Sequence, residues 1–238
     1  MRYKKFFVLL LTLSSTICFA QEEAEQSNFT GEAKVEFVNN YYWRGAYEYP
    51  EGVPAFQPAV TLGFNDPSIS INIWSSLPLK QRTELKDDRD ELDITLNYDL
   101  INQDTFTLSL GFISYLFFVG EFWHSEELYI SAWHNVWNDF SVYAQAYIDV
   151  DAYKGIYFNF GPSYSKALSE KLSLDTKALI SFTKYDDQSF GFVETGILAS
   201  LSYDLTKILS CAGGLLWNYN IESKNNQYAV SLSLVAEL

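Results

Sequence analysis

The chain has 238 residues, 30 Asp and Glu against 16 Lys and Arg, a formal net charge of −14, and 18 Phe, 17 Tyr and 6 Trp. With 48% hydrophobic and 19% charged residues it carries enough apolar surface to offset chain entropy, which excludes a disordered chain. The acidic excess excludes nucleic acid as a partner, because phosphates are bound mainly through Lys and Arg.

Residues 1–20 read as a cleavable export signal: Arg2, Lys4 and Lys5, the apolar run Phe6 to Leu13, then Cys18-Phe19-Ala20 ahead of Gln21-Glu22-Glu23. Ser14, Ser15 and Thr16 end the run short of the roughly 20 apolar residues that a spanning helix needs. Ile17 sits badly before Cys18 for lipid attachment. Loss of this segment leaves Cys211 without a disulfide partner. One cysteine, with His124 and His134 far apart in sequence, supplies no zinc ligand set. Residues 21–31 form a short N-terminal segment, and nothing after residue 20 is long enough for a membrane helix, so any crossing must use strands.

From residue 32 to 238 the pattern has period two, the signature of strands. Over 32–44, Ala33, Val35, Phe37, Tyr41 and Trp43 face one way, and Glu32, Lys34, Glu36, Asn40 and Arg44 the other. Phe56 to Phe64 and Ile69 to Ile73 repeat it. In 91–100, Leu92, Ile94, Leu96 and Tyr98 alternate with Glu91, Asp93, Thr95, Asn97 and Asp99. Further segments run over 106–112, 127–132, 140–149, 156–160, 171–181, 193–204, 208–218 and 227–238, twelve in all. The connections alternate in length. Residues 65–67, 101–104, 134–139, 166–170 and 205–206 are short, whereas 45–54, 77–90, 117–126, 150–155, 183–191 and 219–227 are longer.

An all-β, closed antiparallel transmembrane β-barrel of about 12 strands accounts for both features, with short periplasmic turns and longer external loops. In hydrocarbon every backbone N–H and C=O needs an internal partner, so the sheet must close. Bulges or shorter strands are expected at Pro58 and Pro162, where a ladder donor is missing. A soluble β-sandwich explains neither the sorting of loop lengths nor the alternation as well.

The run Asn40-Tyr41-Tyr42-Trp43-Arg44-Gly45, then Pro54-Ala55-Phe56-Gln57-Pro58 and Glu91-Leu92-Asp93, resembles the TorF-like family of outer-membrane porins of Gram-negative bacteria. That family has an aromatic-Arg-Gly turn after its first strand, a Pro-x-x-Gln segment and an acidic pair opening a later strand. The resemblance is concentrated in the first hundred residues. It implies an outer-membrane barrel of about this size and says little about substrate. The chain departs at its end, where Leu238 replaces the aromatic residue usually read by the barrel-assembly machinery.

The polar row supplies the lumen-lining candidates Glu36, Arg44, Glu91, Asp93, Asp99, Glu127, Asp149, Glu194 and Asp204. The inward set also takes in Glu32, Asp151, Asp175 and Glu237 against Lys34, Lys171 and Lys177, so acids exceed bases and cations should be preferred. Arg44, near the external rim, is expected to brace carboxylates, with the lining of a constriction as the alternative. Tyr41, Trp43, Trp133, Trp137 and Trp217 fit interfacial girdles, whereas Tyr143, Tyr147 and Tyr157 lie on the lumen face. His124-Ser125-Glu126 is no catalytic pair, since consecutive strand residues point to opposite faces. No catalytic residue, cofactor or metal is expected. The expected partners are outer-membrane lipids and lipopolysaccharide, with Asp87, Asp88 and Asp90 a weak candidate for ion bridging, the assembly machinery, and small solutes or cations. Passive diffusion of small hydrophilic solutes is the leading function. A plugged structural or adhesive barrel and a lipid-modifying enzyme are the alternatives.

Overall fold

The computed structural model describes residues 28–80, 90–119, 121–152, 154–185 and 190–237. The export signal, most of the short N-terminal segment, Asp87, Asp88 and Leu238 lie outside the described residues. The strands are β1 (Phe29–Val38), β2 (Tyr42–Trp43), β3 (Ala46–Tyr47), β4 (Ala55–Asn65), β5 (Ser68–Pro78), β6 (Asp90–Gln103), β7 (Phe106–Val119), β8 (Glu121–Trp137), β9 (Phe140–Asp149), β10 (Gly155–Ala167), β11 (Leu172–Tyr185), β12 (Gly191–Asp204), β13 (Leu209–Asn220) and β14 (Asn225–Glu237). All but β2 and β3 form one closed antiparallel barrel of twelve strands, in which β1 pairs with β4 on one side and β14 on the other. Val35 lies opposite Leu234 across the closing seam.

The surface is inverted relative to a protein in water. Leu232 is 66% exposed, as are Phe37, Ile73, Leu96, Leu128 and Ile130 to lesser degrees, while Glu194 is 1% exposed and Gln57, Glu91, Glu127 and Asn218 are buried. Alternation explains this: one row of each strand meets an apolar solvent and the other a polar interior.

Several boundaries differ from the sequence reading. The expected strand over 32–44 stops at Val38, because Asn39 caps it: Asn39 N donates to Val230 O at 3.1 Å and Val230 N to Asn39 Oδ1 at 2.6 Å. The expected long loop over 117–126 is strand on both sides of residue 120. The last external connection shrinks to 221–224, held by bonds from Ser223 N and Oγ to Asn220 Oδ1. Among the described residues the long connection on that rim is therefore 39–54, whereas those after β9 and β13 are trimmed.

The prolines interrupt pairing without shifting it. Between β10 and β11 the ladder runs from Phe160↔Ile180 to Ser163↔Lys177, skipping Gly161 and Pro162 but keeping the register. The carbonyl of Ala178, opposite Pro162, is instead taken by Tyr143 Oη at 2.9 Å. Between β4 and β5 the ladder skips Gln57 and Pro58, and Gln57 Nε2 donates to Ser76 Oγ across the gap at 3.2 Å. The register is kept through both prolines, so neither carries a bulge or ends its strand. The register shifts lie elsewhere, at Asp99/Ile101, Asn135/Trp137 and Ser181/Phe182.

Tyr129 lies flat across Gly111, its cross-strand partner. A Cβ there would come within 2.2 Å of the ring. Gly111→Ala should therefore dislodge Tyr129 from its bond to Asn97 Oδ1 and cost about 1–3 kcal/mol, read as a lower temperature for heat-modified gel migration. Topology is checked separately in a Cys211→Ser background. Cysteine at Asn225 should label from outside intact cells, and cysteine at Asp66 or Asn102 should not.

Candidate functional site

Residues 39–54 do not extend away from the barrel; they turn into it. Asn40 fixes the entry, its Nδ2 donating to Tyr228 O at 3.0 Å and its Oδ1 accepting from Gly52 N at 2.6 Å. Tyr42↔Tyr47 and Trp43↔Ala46 then pair as a minimal hairpin. Its two turn residues, Arg44 and Gly45, have φ of 43° and 92°, the left-handed pair that a tight hairpin turn of this hand requires. Glycine is also demanded by space at the second position, where a Cβ would sit 2.9 Å from Val193 Cγ1. The base of the loop carries its own small apolar core of Tyr41, Tyr49, Val53 and Ala55, against Val38, Trp43 and Trp74.

The hairpin tip is tied to the wall at two places, on β8 and on β12 and β13. On one side Arg44 makes a bidentate pair with Glu127 of β8, Nη1 to Oε1 at 2.6 Å and Nη2 to Oε2 at 2.7 Å. Both side chains are largely withdrawn from solvent, at 9% and 4% exposure. Tyr115 Oη adds a bond to Glu127 Oε2 at 2.8 Å, and the guanidinium lies 4.4 Å from the Trp43 ring centre and 4.5 Å from those of Tyr147 and Tyr157. The carboxylate at its edge and the rings on its faces offset the cost of taking this planar cation out of water. On the other side Tyr42 Oη donates to Glu194 of β12, which also accepts from Tyr157 Oη at 2.7 Å and Ser181 Oγ at 3.1 Å. Asn218 Nδ2 donates to Tyr42 Oη, and Asn220 Nδ2 donates to Gly45 O at 2.6 Å.

Beside the tip is a cavity of about 310 Å³ lined by Trp43, Arg44, Asp93, Tyr115, Tyr147 and Asn159 among others. Asp93 Oδ1 is buried there with no hydrogen-bond partner among the described residues. Arg44, Asp93, Glu127 and Glu194 are thus brought to one level of the barrel, and Glu91 is buried one row from Asp93 on β6. Asp99 stands apart, accepting from Ser68 Oγ, Ser109 Oγ and Asn97 Nδ2 at 2.7, 2.7 and 2.8 Å. Asp149 accepts from Ser125 Oγ at 2.5 Å and from the backbone N–H groups of Asp151 and Lys154. Glu36 is paired with Lys34 at 2.9 Å, and Asp204 is exposed at the short-turn rim, as is Asp175 toward the same end. Lys177 Nζ lies 3.8 Å from the Tyr143 ring centre and 5.1 Å from that of Trp133.

Three aromatics expected in the girdles are elsewhere: Tyr41 and Trp43 pack inside with the loop, and Trp133 stacks on Tyr143. The pairing partners Tyr42, Tyr115, Ser181, Asn218 and Asn220 were not singled out in the sequence. The available signal was the loop's composition, since a solvated loop has no use for Tyr41, Tyr42, Trp43, Tyr47 and Tyr49 together. Ser125 bonds Asp149, whereas His124 Nδ1 lies beside Glu126 and Asp151, at 3.1 and 3.2 Å. His134 Nδ1 is 2.9 Å from Thr105 O at a short turn.

No family model matches the chain, and no curated protein resembles it in sequence. Solved structures do share its fold. It is similar to the KdgM porin, with a TM-score of 0.57 at 10% identity over 87% of this chain and 99% of that one. It is also similar to the NanC porin, at 0.59 and 9% over 87% and 100%. The COG4313 outer membrane channel from Pseudomonas putida F1 gives 0.50 and 11% over 92% and 98%. A dimeric outer membrane phospholipase from Salmonella typhi with bound calcium gives 0.50 and 14% over 91% and 94%. At such identities the likeness shows the fold alone.

Removing half of the buried pair should be costly and removing half of an open one should not. Glu127→Gln leaves Arg44 buried without its anion and should destabilise the barrel by about 3–5 kcal/mol. Lys34→Met, at the half-exposed pair with Glu36, should change it by less than about 1 kcal/mol. Thermal unfolding in detergent measures both. With its closed ladder and an exposed apolar belt that makes lipid its solvent, the chain is a twelve-strand transmembrane β-barrel that shares the fold of the solved porins.

Proposed function

We propose that this barrel is a porin-like channel for small hydrophilic solutes in which the inward hairpin of residues 39–54 forms the constriction. The observation that carries the reading is the polar cavity beside the hairpin tip, walled by Asp93 and the rings of Tyr115 and Tyr147. Its position on the aromatic-Arg-Gly turn accords with the resemblance to TorF-like porins. The turn in that reading is the part that narrows the pore.

Cation preference follows from how the carboxylates are satisfied. Glu194 and Asp99 receive hydroxyl and amide donors, which hold a carboxylate in place without cancelling its charge. Glu91, Asp93, Asp99, Glu127, Asp149 and Glu194 face an interior that also holds Arg44, paired with Glu127, and Lys177. The KdgM porin has been seen with oligogalacturonate, an acidic sugar. The present interior has the wrong sign for such a cargo and suits cations or neutral polar solutes.

A second reading is a plugged barrel. It is favoured by the bonds that fix the hairpin to β8, β12 and β13. Single-channel recording under a salt gradient separates the two. The channel reading expects cation-selective current, a reversal potential moved toward zero by Asp93→Asn with Asp99→Asn, and weaker selectivity as salt rises past the range where screening acts over about 8 Å. Replacing residues 40–52 with a short Gly-Ser linker should raise conductance several-fold. Anion selectivity would overturn the sign of the interior. Current that appears only after the hairpin is removed would establish the plug.

A further inference from the structure

A second cluster of titratable groups lies outside the interior. His124, Glu126 and Asp151 bring their donor atoms within 4.8 Å of one another. On β8, Ser125 and Glu127 are 1% and 3% exposed inside the barrel, and Leu128 is 51% exposed outside. By parity His124 and Glu126 belong to the outer row, where residues two apart on a strand stand side by side. Asp151 arrives from the connection between β9 and β10, which is fastened to the same stretch of β8. Val150 N donates to Glu126 O at 2.9 Å, Asp151 N to Asp149 Oδ1 at 3.0 Å, and Ala152 N to Ser125 Oγ at 3.4 Å. The ligand atoms therefore ride on a strand and a pinned turn. Their side chains are 46%, 30% and 42% exposed, so an ion can enter from water.

We propose that His124, Glu126 and Asp151 form a site for a divalent transition-metal ion of the Zn²⁺ kind on the external rim. The spacing supports it. Zinc bonds of about 2.0–2.1 Å in tetrahedral geometry set ligand atoms about 3.3 Å apart, and His124 Nδ1 lies 3.1 Å from Glu126 Oε1 and 3.2 Å from Asp151 Oδ2. Two carboxylates around one imidazole leave negative charge that a dication cancels. One nitrogen and two oxygens match zinc, whereas magnesium demands near-octahedral oxygen ligands. Three protein ligands leave a fourth position for water.

The test is isothermal titration of the detergent-folded protein, made without a polyhistidine tag, with Zn²⁺ and separately with Mg²⁺. One saturable Zn²⁺ per barrel is expected, with affinity reduced tenfold or more in His124→Ala and also lowered in Glu126→Gln and Asp151→Asn. His134→Ala should bind as the parent does. Heat-modifiable migration confirms that each variant is folded. No saturable Zn²⁺ binding, undiminished binding in folded His124→Ala, or equal binding of Mg²⁺ would each overturn the assignment. The last would leave only an acidic surface, and none of these outcomes depends on whether the barrel conducts.

Discussion

Everything in this molecule depends on the pairing of its first and last barrel strands. A backbone amide in hydrocarbon has no water to bond, and an unpaired sheet edge would expose a whole row of such groups. The β1–β14 ladder, from Glu32↔Glu237 to Val38↔Ser231, removes both edges. Once closure is enforced, the two rows of each strand meet opposite solvents. The sequence must then place apolar groups where Leu232 and Ile73 stand and polar groups where Glu194 and Asn218 stand.

Closure creates the problem that the first loop solves. A ring of polar side chains facing inward in a barrel of this size must be hydrated or given partners, because a buried polar group left alone is costly. The hairpin of β2 and β3 brings donors to the carboxylates: the guanidinium of Arg44 to Glu127 and the phenol of Tyr42 to Glu194. The same inserted segment occupies part of the interior, and the groups that fix the hairpin also define the space left beside it.

The parts of the fold legible in the sequence were those governed by period two. Alternation along 91–100 or 227–238 identifies strand and face together, because a register slip would reverse every side chain. Strand ends were less legible. Residues 40–44 continue the alternation of β1 in sequence yet leave the sheet, and only the capping by Asn39 and the left-handed Arg44-Gly45 turn distinguish them. The inward direction of Glu127 and Glu194 follows from parity. Which of them Arg44 would meet depends on the loop crossing the bore, a long-range choice that no local pattern encodes. The cluster at His124 escaped for the same reason: Asp151 is distant in sequence and joins it only through the turn beside β8.

The inward hairpin also bears on the order in which the protein is made. It follows β1 immediately, yet its anchors lie on β8, β12 and β13, strands that come much later in the chain. Until those walls stand, Arg44 has no carboxylate to meet and Tyr42 no Glu194, so an early element must wait on late ones. Docking of the loop therefore reports a finished cylinder. A segment synthesised near the beginning is thus seated only on walls made much later.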